Sequence, residues 1–248
     1  MHDVQWASSG LFFDPIQSLP GVTMGILDKI DDRPMSLSDR VYASVRSAIV
    51  ASKFPAGQRL TEEGLAKELG VSKTPVREAM LRLAYVGLVQ SGATGGGRVM
   101  TPTRQALSDA YDVREGLEAQ VARIAALKGV RSMLEETRSY ATSSKEVAER
   151  GDREGFRQND ERFHMSLCEA TQNDVLMRLV RDSYDLTSAL RARDAPGTPY
   201  SVECADQHLE IMDAVDAGDD VAADVAMRTH LSKVRQRMMD AYDRHGIN

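Results

Sequence analysis

From Pro102 onward, apolar residues recur at helical spacings and nowhere alternate as they would along a strand. Between Thr103 and Lys128 the series is Leu107, Tyr111, Val113, Leu117, Val121, Ile124 and Leu127, crossed by Gly116 at a local cost of about 1 kcal/mol relative to Ala. Further helices are predicted over 130–150, 153–170, 174–193, 201–217 and 219–242. Gly151, the turn at 172–174, the loop at 194–199 and Gly218-Asp219 separate them. The second part of the chain therefore reads as an all-helical bundle of about six helices.

A tighter pattern occupies residues 60–83. Thr61 is placed to cap a helix with Glu62 and Glu63 in its first turn and Leu65, Ala66 and Leu69 as its inward stripe. Gly70 suits a left-handed stop, and Val71 re-enters the core. Ser72 or Thr74 then caps a second helix that tolerates Pro75 in its first turn and turns Val76, Met80 and Leu83 inward. Lys73, Thr74 and Arg77 are left outside. Such a hairpin is common in all-helical proteins, and presenting a helix to DNA is one of its uses. Beyond it come an apolar run, Tyr85 to Gln90, a glycine-rich turn at 93–97 and a returning strand at Arg98 to Met100. Two helices followed by a small hairpin is the order of a winged helix. The predicted fold is mainly α: an N-terminal winged helix-turn-helix with a small β-hairpin wing, then an all-helical bundle.

Charge divides the chain in the same sense. Residues 35–103 carry nine Lys/Arg against five Asp/Glu, whereas residues 104–248 carry twenty against twenty-seven. A mildly basic module on an acidic body is compatible with binding phosphate backbones through one face, although the same imbalance also arises by chance among solvated side chains. The 248 residues are enough for two domains. No run of eighteen apolar residues and no basic-then-apolar leader points to a membrane or to export. Cys168 and Cys204 lack framework spacing, as expected in a reducing cytoplasm. Residues 1–34 hold scattered Gly and Pro with Trp6, Leu11, Phe12 and Phe13, and read as an extension whose aromatics could dock on the body.

Histidines add a second chemical signal. Asp160 and His164 lie four apart and share a helix face, while His208 and His230 fall on later helices among apolar neighbours. A bundle can converge three imidazoles and a carboxylate into a cavity suited to zinc, nickel, manganese or iron. Capped or solvent-facing histidines would show the same spacing.

The segment from Leu37 to Thr101 resembles the DNA-binding module of the GntR family of bacterial transcription regulators. The resemblance rests on Val41-Tyr42, Ile49, Pro55-Ala56-Gly57, Arg59-Leu60 and above all the run from Ser72 to Ala79. The body resembles the FCD ligand-sensing domain of the FadR-type branch: Arg114 and Glu118 match its first helix, Asp160, Phe163 and His164 its acidic-histidine signature, Asn173 the turn after it, and His208 and His230 the late histidines. The domains so implied are an extension at 1–35, a winged helix at 36–102 and an effector-binding and dimerisation bundle at 103–244.

The resemblance implies one divalent ion per chain, zinc or nickel, on Asp160, His164, His208 and His230. Cys168, four beyond His164, could approach the same face, but reads better as a small buried hydrophobe. With Arg114, the ion would bind a small organic acid: open coordination positions take a carboxylate and the guanidinium pairs with it. On DNA, Arg77 is expected to read guanine, Lys73 and Thr74 to touch bases or phosphates, and Ser72, Gly96 and Arg98 to lie at the interface. The family pattern has a basic residue where this chain has Glu63 and an acidic one where it has Gly64, which points to a shifted operator. The function implied is a homodimeric, effector-controlled regulator of transcription, expected to be a repressor, with its signal passing near Thr101 to Gln105. A helical metalloenzyme with an accessory N-terminal module is the alternative; no residue is identified as a general acid or base for it.

Overall fold

A helix too short to stand alone in water opens the structure, and local chemistry fixes its start. α1 spans Leu37–Val50: Ser36 Oγ accepts from Asp39 N while the Asp39 carboxylate accepts from Ser36 N, a reciprocal capping box. The computed structural model describes residues 35–92, 95–192 and 202–245. The expected aromatic arm at 1–34 and the break at 194–199 lie outside the described residues.

After β1 (Arg59–Leu60), α2 (Glu62–Leu69) begins at Thr61, whose hydroxyl accepts from Gly64 N at 3.0 Å, and ends at Gly70 in the left-handed region, as the pattern predicted. α3 spans Lys73–Val86 with Ser72 at its N-cap, although no side-chain capping bond forms there. It continues into the apolar run from Tyr85 and stops at Gly87, so the strand β2 is shorter than that run, Val89–Ser91. β3 is Gly97–Val99. The three strands are antiparallel in the order β1-β3-β2, with Leu60 opposite Gly97 and Val89 opposite Val99. The third strand was not expected, because two residues are too few to show alternation. Gly96 has φ +68°, and a Cβ there would meet the Leu60 carbonyl oxygen at 2.2 Å; the sheet itself demands this glycine. Val76, Ala79 and Leu83 of α3 pack with Leu88 and Val99 in the module's core.

The bundle comprises α4 (Arg104–Lys128), α5 (Arg131–Glu149), α6 (Arg153–Glu169), α7 (Asp174–Ala192), α8 (Val202–Asp216) and α9 (Asp220–His245). These follow the predicted helices closely, and α9 continues beyond Tyr242 to His245. α4 lies against α9, α6, α7 and α8, and α5 against α6 and α8, so the longest inward faces enclose a common interior. The winged-helix elements α1 and α3 rest on α7. Among the described residues no helix is long and apolar enough to cross a membrane.

Candidate functional site

Two groups of polar residues stand out, one exposed and one buried. The exposed group lies at the start of α3, where Ser72, Lys73, Thr74 and Arg77 all reach solvent. Lys73 Nζ sits 3.1 Å from Glu63 Oε2, and Arg77 holds the Glu62 carboxylate, with Nη2 3.2 Å from Oε2. This hydrogen-bonded guanidinium keeps the Glu62 carboxyl below its ordinary range. Glu62 also takes a backbone hydrogen bond from Gly96, so one carboxylate ties the wing to α3. Arg98, on the exposed side of β3, donates through Nη1 to the Gly57 carbonyl at 3.0 Å. Glu62 had been read only as a first-turn acid; no local signal discloses a contact fifteen residues away.

The buried group is assembled by three helices of the bundle. Asp160 and His164 come from α6, His208 from α8 and His230 from α9, and each is nearly or wholly shielded from solvent. Ring centroids of His164 and His208 are 5.2 Å apart, His164 and His230 5.4 Å, and His208 and His230 4.7 Å. One nitrogen from each of these three rings lies within 4.8 Å of the others. Asp160 Oδ1 stands 3.5 Å from His208 Nε2 and 3.8 Å from His164 Nε2, so all four residues expected from the sequence meet in one place.

Around them is a supporting layer that spacing had not revealed. Tyr184 of α7 donates to Asp160 Oδ2 at 2.8 Å. Gln207 Oε1 lies 3.1 Å from His230 Nδ1; because an amide oxygen only accepts, Nδ1 carries the proton and the lone pair is on Nε2. Phe163 stacks on the His208 ring at 4.1 Å between centroids. Glu118 makes a tight contact through one oxygen with Arg114 Nε, its neighbour one turn earlier on α4, and through the other with His164 Nδ1. Burial alone would raise the Glu118 carboxyl, but the Arg114 and His164 charges outweigh it and hold the group down to about 2. Arg114 also faces Thr187 Oγ1 at 3.5 Å and lies over the Tyr184 ring at 4.5 Å.

These residues fit a divalent cation. His208 is fully buried, and neither of its ring nitrogens has a hydrogen-bond partner. Burial drives it down to about 3 against a smaller opposing pull from Asp160, so it presents neutral imidazole lone pairs. Cys168 lies buried outside the ligand sets among the described residues, and burial, aided by Glu118, pushes its thiol up to about 12. Cys204 instead enters: its sulfur, an Asp160 oxygen and a His208 nitrogen lie within 4.8 Å of one another.

A reading helix with a wing, set on a helical domain with a buried polar centre, defines a DNA-binding transcription regulator with a small-molecule-sensing body. Comparison with known proteins agrees. Residues 37–99 match the bacterial regulatory proteins of the gntR family and residues 109–233 match the FCD domain. The chain belongs to the GntR family and carries an FCD domain; its role is regulatory and non-catalytic. It is 34% identical over 197 residues to a probable D-xylose utilization operon transcriptional repressor of Paenarthrobacter nicotinovorans, covering 79% of this chain and 86% of that one. It is 30% identical over 231 residues to a putative L-lactate dehydrogenase operon regulatory protein of Escherichia coli, covering 83% and 87%. Among solved structures, a putative GntR regulator from Rhodococcus superposes with a TM-score of 0.68 at 25% identity, covering 84% of this chain and all of that one. Escherichia coli McbR/YncC superposes at 0.72 with 19% identity and the same coverage, a likeness of fold.

Proposed function

We propose that this protein is a cytoplasmic, homodimeric repressor of the FadR-type branch, released or engaged by a small organic acid bound beside a divalent metal. In this reading residues 1–35 are an extension, 36–102 the DNA-binding domain and 103–244 the sensing and dimerisation domain. Asp160, His164, His208 and His230 would hold the ion, zinc or nickel, which when bound supplies open coordination positions for a carboxylate.

The observation that carries the reading is the convergence of buried donor atoms. One nitrogen from each of His164, His208 and His230 lies within 4.8 Å of the others, and Asp160 Oδ1 stands 3.5 Å from His208 Nε2 and 3.8 Å from His164 Nε2. Neither nitrogen of neutral His208 has a hydrogen-bond partner, so a buried donor is left unused. A divalent ion bound there would add positive charge beside Arg114, and a carboxylate would offset it. Arg114 has its Nε on Glu118, so its part is to orient an anion rather than to act as an isolated cation. Lactate, which the name of the L-lactate dehydrogenase operon regulatory protein carries, is of this chemical class; D-xylose, in the name of the other relative, has no carboxylate.

On DNA, Arg77 is assigned to a guanine edge, Lys73 and Thr74 to bases or phosphates, and Ser72, Gly96 and Arg98 to the flanks of the contact. One winged helix reads few base pairs, and a two-fold dimer reads two half-sites. Genome-wide binding of the tagged chain should enrich one recurring palindrome; no recurring site would overturn the operator reading. Elemental analysis of protein purified without added metal should give one divalent ion per chain, greatly reduced in His164→Ala. Wild type that cannot be loaded at all would overturn the metal reading.

A further inference from the structure

Cys204 and His208 lie four residues apart on α8 and therefore project from the same face, one turn apart. Cys204 is buried at 6% exposure and His208 at 0%. The Cys204 sulfur falls within 4.8 Å of both an Asp160 oxygen and a His208 nitrogen, and His208 belongs at the same time to the three-histidine set. The two sets of candidate ligands thus share one imidazole, and that imidazole has no hydrogen-bond partner on either nitrogen. Ligands sharing one zinc ion lie about 3–4 Å apart, given Zn–S near 2.3 Å and Zn–N near 2.0 Å.

We propose that Cys204 is a thiolate ligand of this centre, which turns a histidine and carboxylate site into a mixed sulfur, nitrogen and oxygen site selective for a thiophilic divalent ion such as zinc over a hard one such as manganese. The proposal rests on the metal reading given above and adds a fifth protein donor to it, leaving one position of a six-coordinate ion for the carboxylate. A hard-ion site has no use for sulfur, whereas zinc and cobalt(II) accept thiolate readily. On coordination the sulfur–metal bond forms as the thiol proton leaves to solvent, with no change of oxidation state. The structural alternative is that Cys204 is only a small apolar filler of the core.

Cobalt(II) titration of the full-length, metal-free protein separates these. Visible ligand-field bands report occupancy whatever the ligands, and a near-ultraviolet charge-transfer band reports thiolate bound to cobalt. Wild type should show both. Cys204→Ser should keep the visible bands, lose the near-ultraviolet band and show a smaller preference for zinc over manganese in competition. Cys168→Ser should keep both bands. Visible bands without the near-ultraviolet band in wild type, or an unchanged near-ultraviolet band in C204S, would overturn the role of Cys204 and leave the histidine and aspartate site intact. No cobalt bands of either kind would overturn the metal reading and this one together.

Discussion

Asp185 of α7 grips Arg46 of α1 at two points, its two carboxylate oxygens accepting from Nε and Nη2 of the same guanidinium. Asp185 is buried at 1% exposure, and Glu161 of α6 stands 3.6 Å from Arg46 on the other side. This pair joins the winged helix to the helix that also sends Tyr184 to Asp160 and Thr187 to Arg114. A shift of α7 at the buried centre would therefore reach the DNA-binding module directly, beside the route expected through residues 101–105. Burial raises the Asp185 carboxyl, and Arg46 pulls it part of the way back. Arg46→Ala should destabilise the protein by about 3–5 kcal/mol at neutral pH, because it leaves the carboxylate buried without its cation. The loss should shrink as pH falls and Asp185 takes up a proton. Urea unfolding of wild type and R46A across pH checks this; a penalty independent of pH would show that lost packing, not the ion pair, is responsible.

At the exposed start of α3, the ion pair with Glu62 holds Arg77 where the wing and α3 meet. If Arg77 reads a guanine edge, Arg77→Ala should weaken operator binding by about tenfold to hundredfold and relax preference at one base pair. Lys73→Ala should weaken binding to all sequences alike and flatten its salt dependence by about one unit of slope. Fluorescence anisotropy on the enriched operator and on single-base variants distinguishes them. Equal affinity of wild type and R77A would remove Arg77 from the reading role and leave it as a tether for Glu62.

Much of this was legible in the sequence where the signal is local. Thr61, Gly70 and the stripe of Leu65 and Ala66 mark α2 because capping, the left-handed stop and amphipathicity each act within a few residues. Asp160 and His164 share a face by their spacing alone. Contacts between helices were not legible: nothing near Glu118 announces His164, and nothing near Tyr184 announces Asp160. The cysteines show why. Cys168 and Cys204 each lie four residues from a histidine, and a four-residue step moves about 6 Å along a helix. Whether that step leads toward the cluster or past it depends on how the helix is placed in the bundle. On α6 the Asp160 side of His164 faces the cluster and Cys168 is carried beyond it; on α8 the Cys204 side of His208 faces it.

Gly116 lies in the interior of α4, in solvent, and a Cβ added there would meet nothing within 4 Å. The helix therefore bears the entropic cost of glycine with no steric need for it. Gly116→Ala should stabilise the protein by about 0.5–1 kcal/mol, mostly by restricting the unfolded chain. Chemical denaturation of the two proteins under identical conditions is sufficient. A lower midpoint in G116A would show that this face of α4 is covered closely in the assembled protein.

The buried centre should also make the metal-free protein sensitive to mild acid. His208 is held down to about 3 from an ordinary 6.5, first by burial, so between those values the unfolded chain carries a proton on this imidazole that the folded chain refuses. Folding stability must then fall as pH falls from 6.5, by up to about 1.4 kcal/mol per pH unit for this one group. Glu118 acts in the same direction but lower. Its folded value of about 2 lies below the ordinary 4.5, so its stabilising contribution is complete above 4.5 and is lost as pH drops toward 2. The interval from 6.5 to 4.5 therefore isolates His208 from Glu118. Over that interval the urea midpoint of metal-free wild type should decline more steeply than that of His208→Gln, whose amide does not titrate. Parallel declines would mean that His208 is protonated in the fold and is not the neutral ligand the proposed metal site requires. Bound metal should flatten the wild-type curve in the upper part of this range, because the ion occupies the lone pair for which the proton would compete.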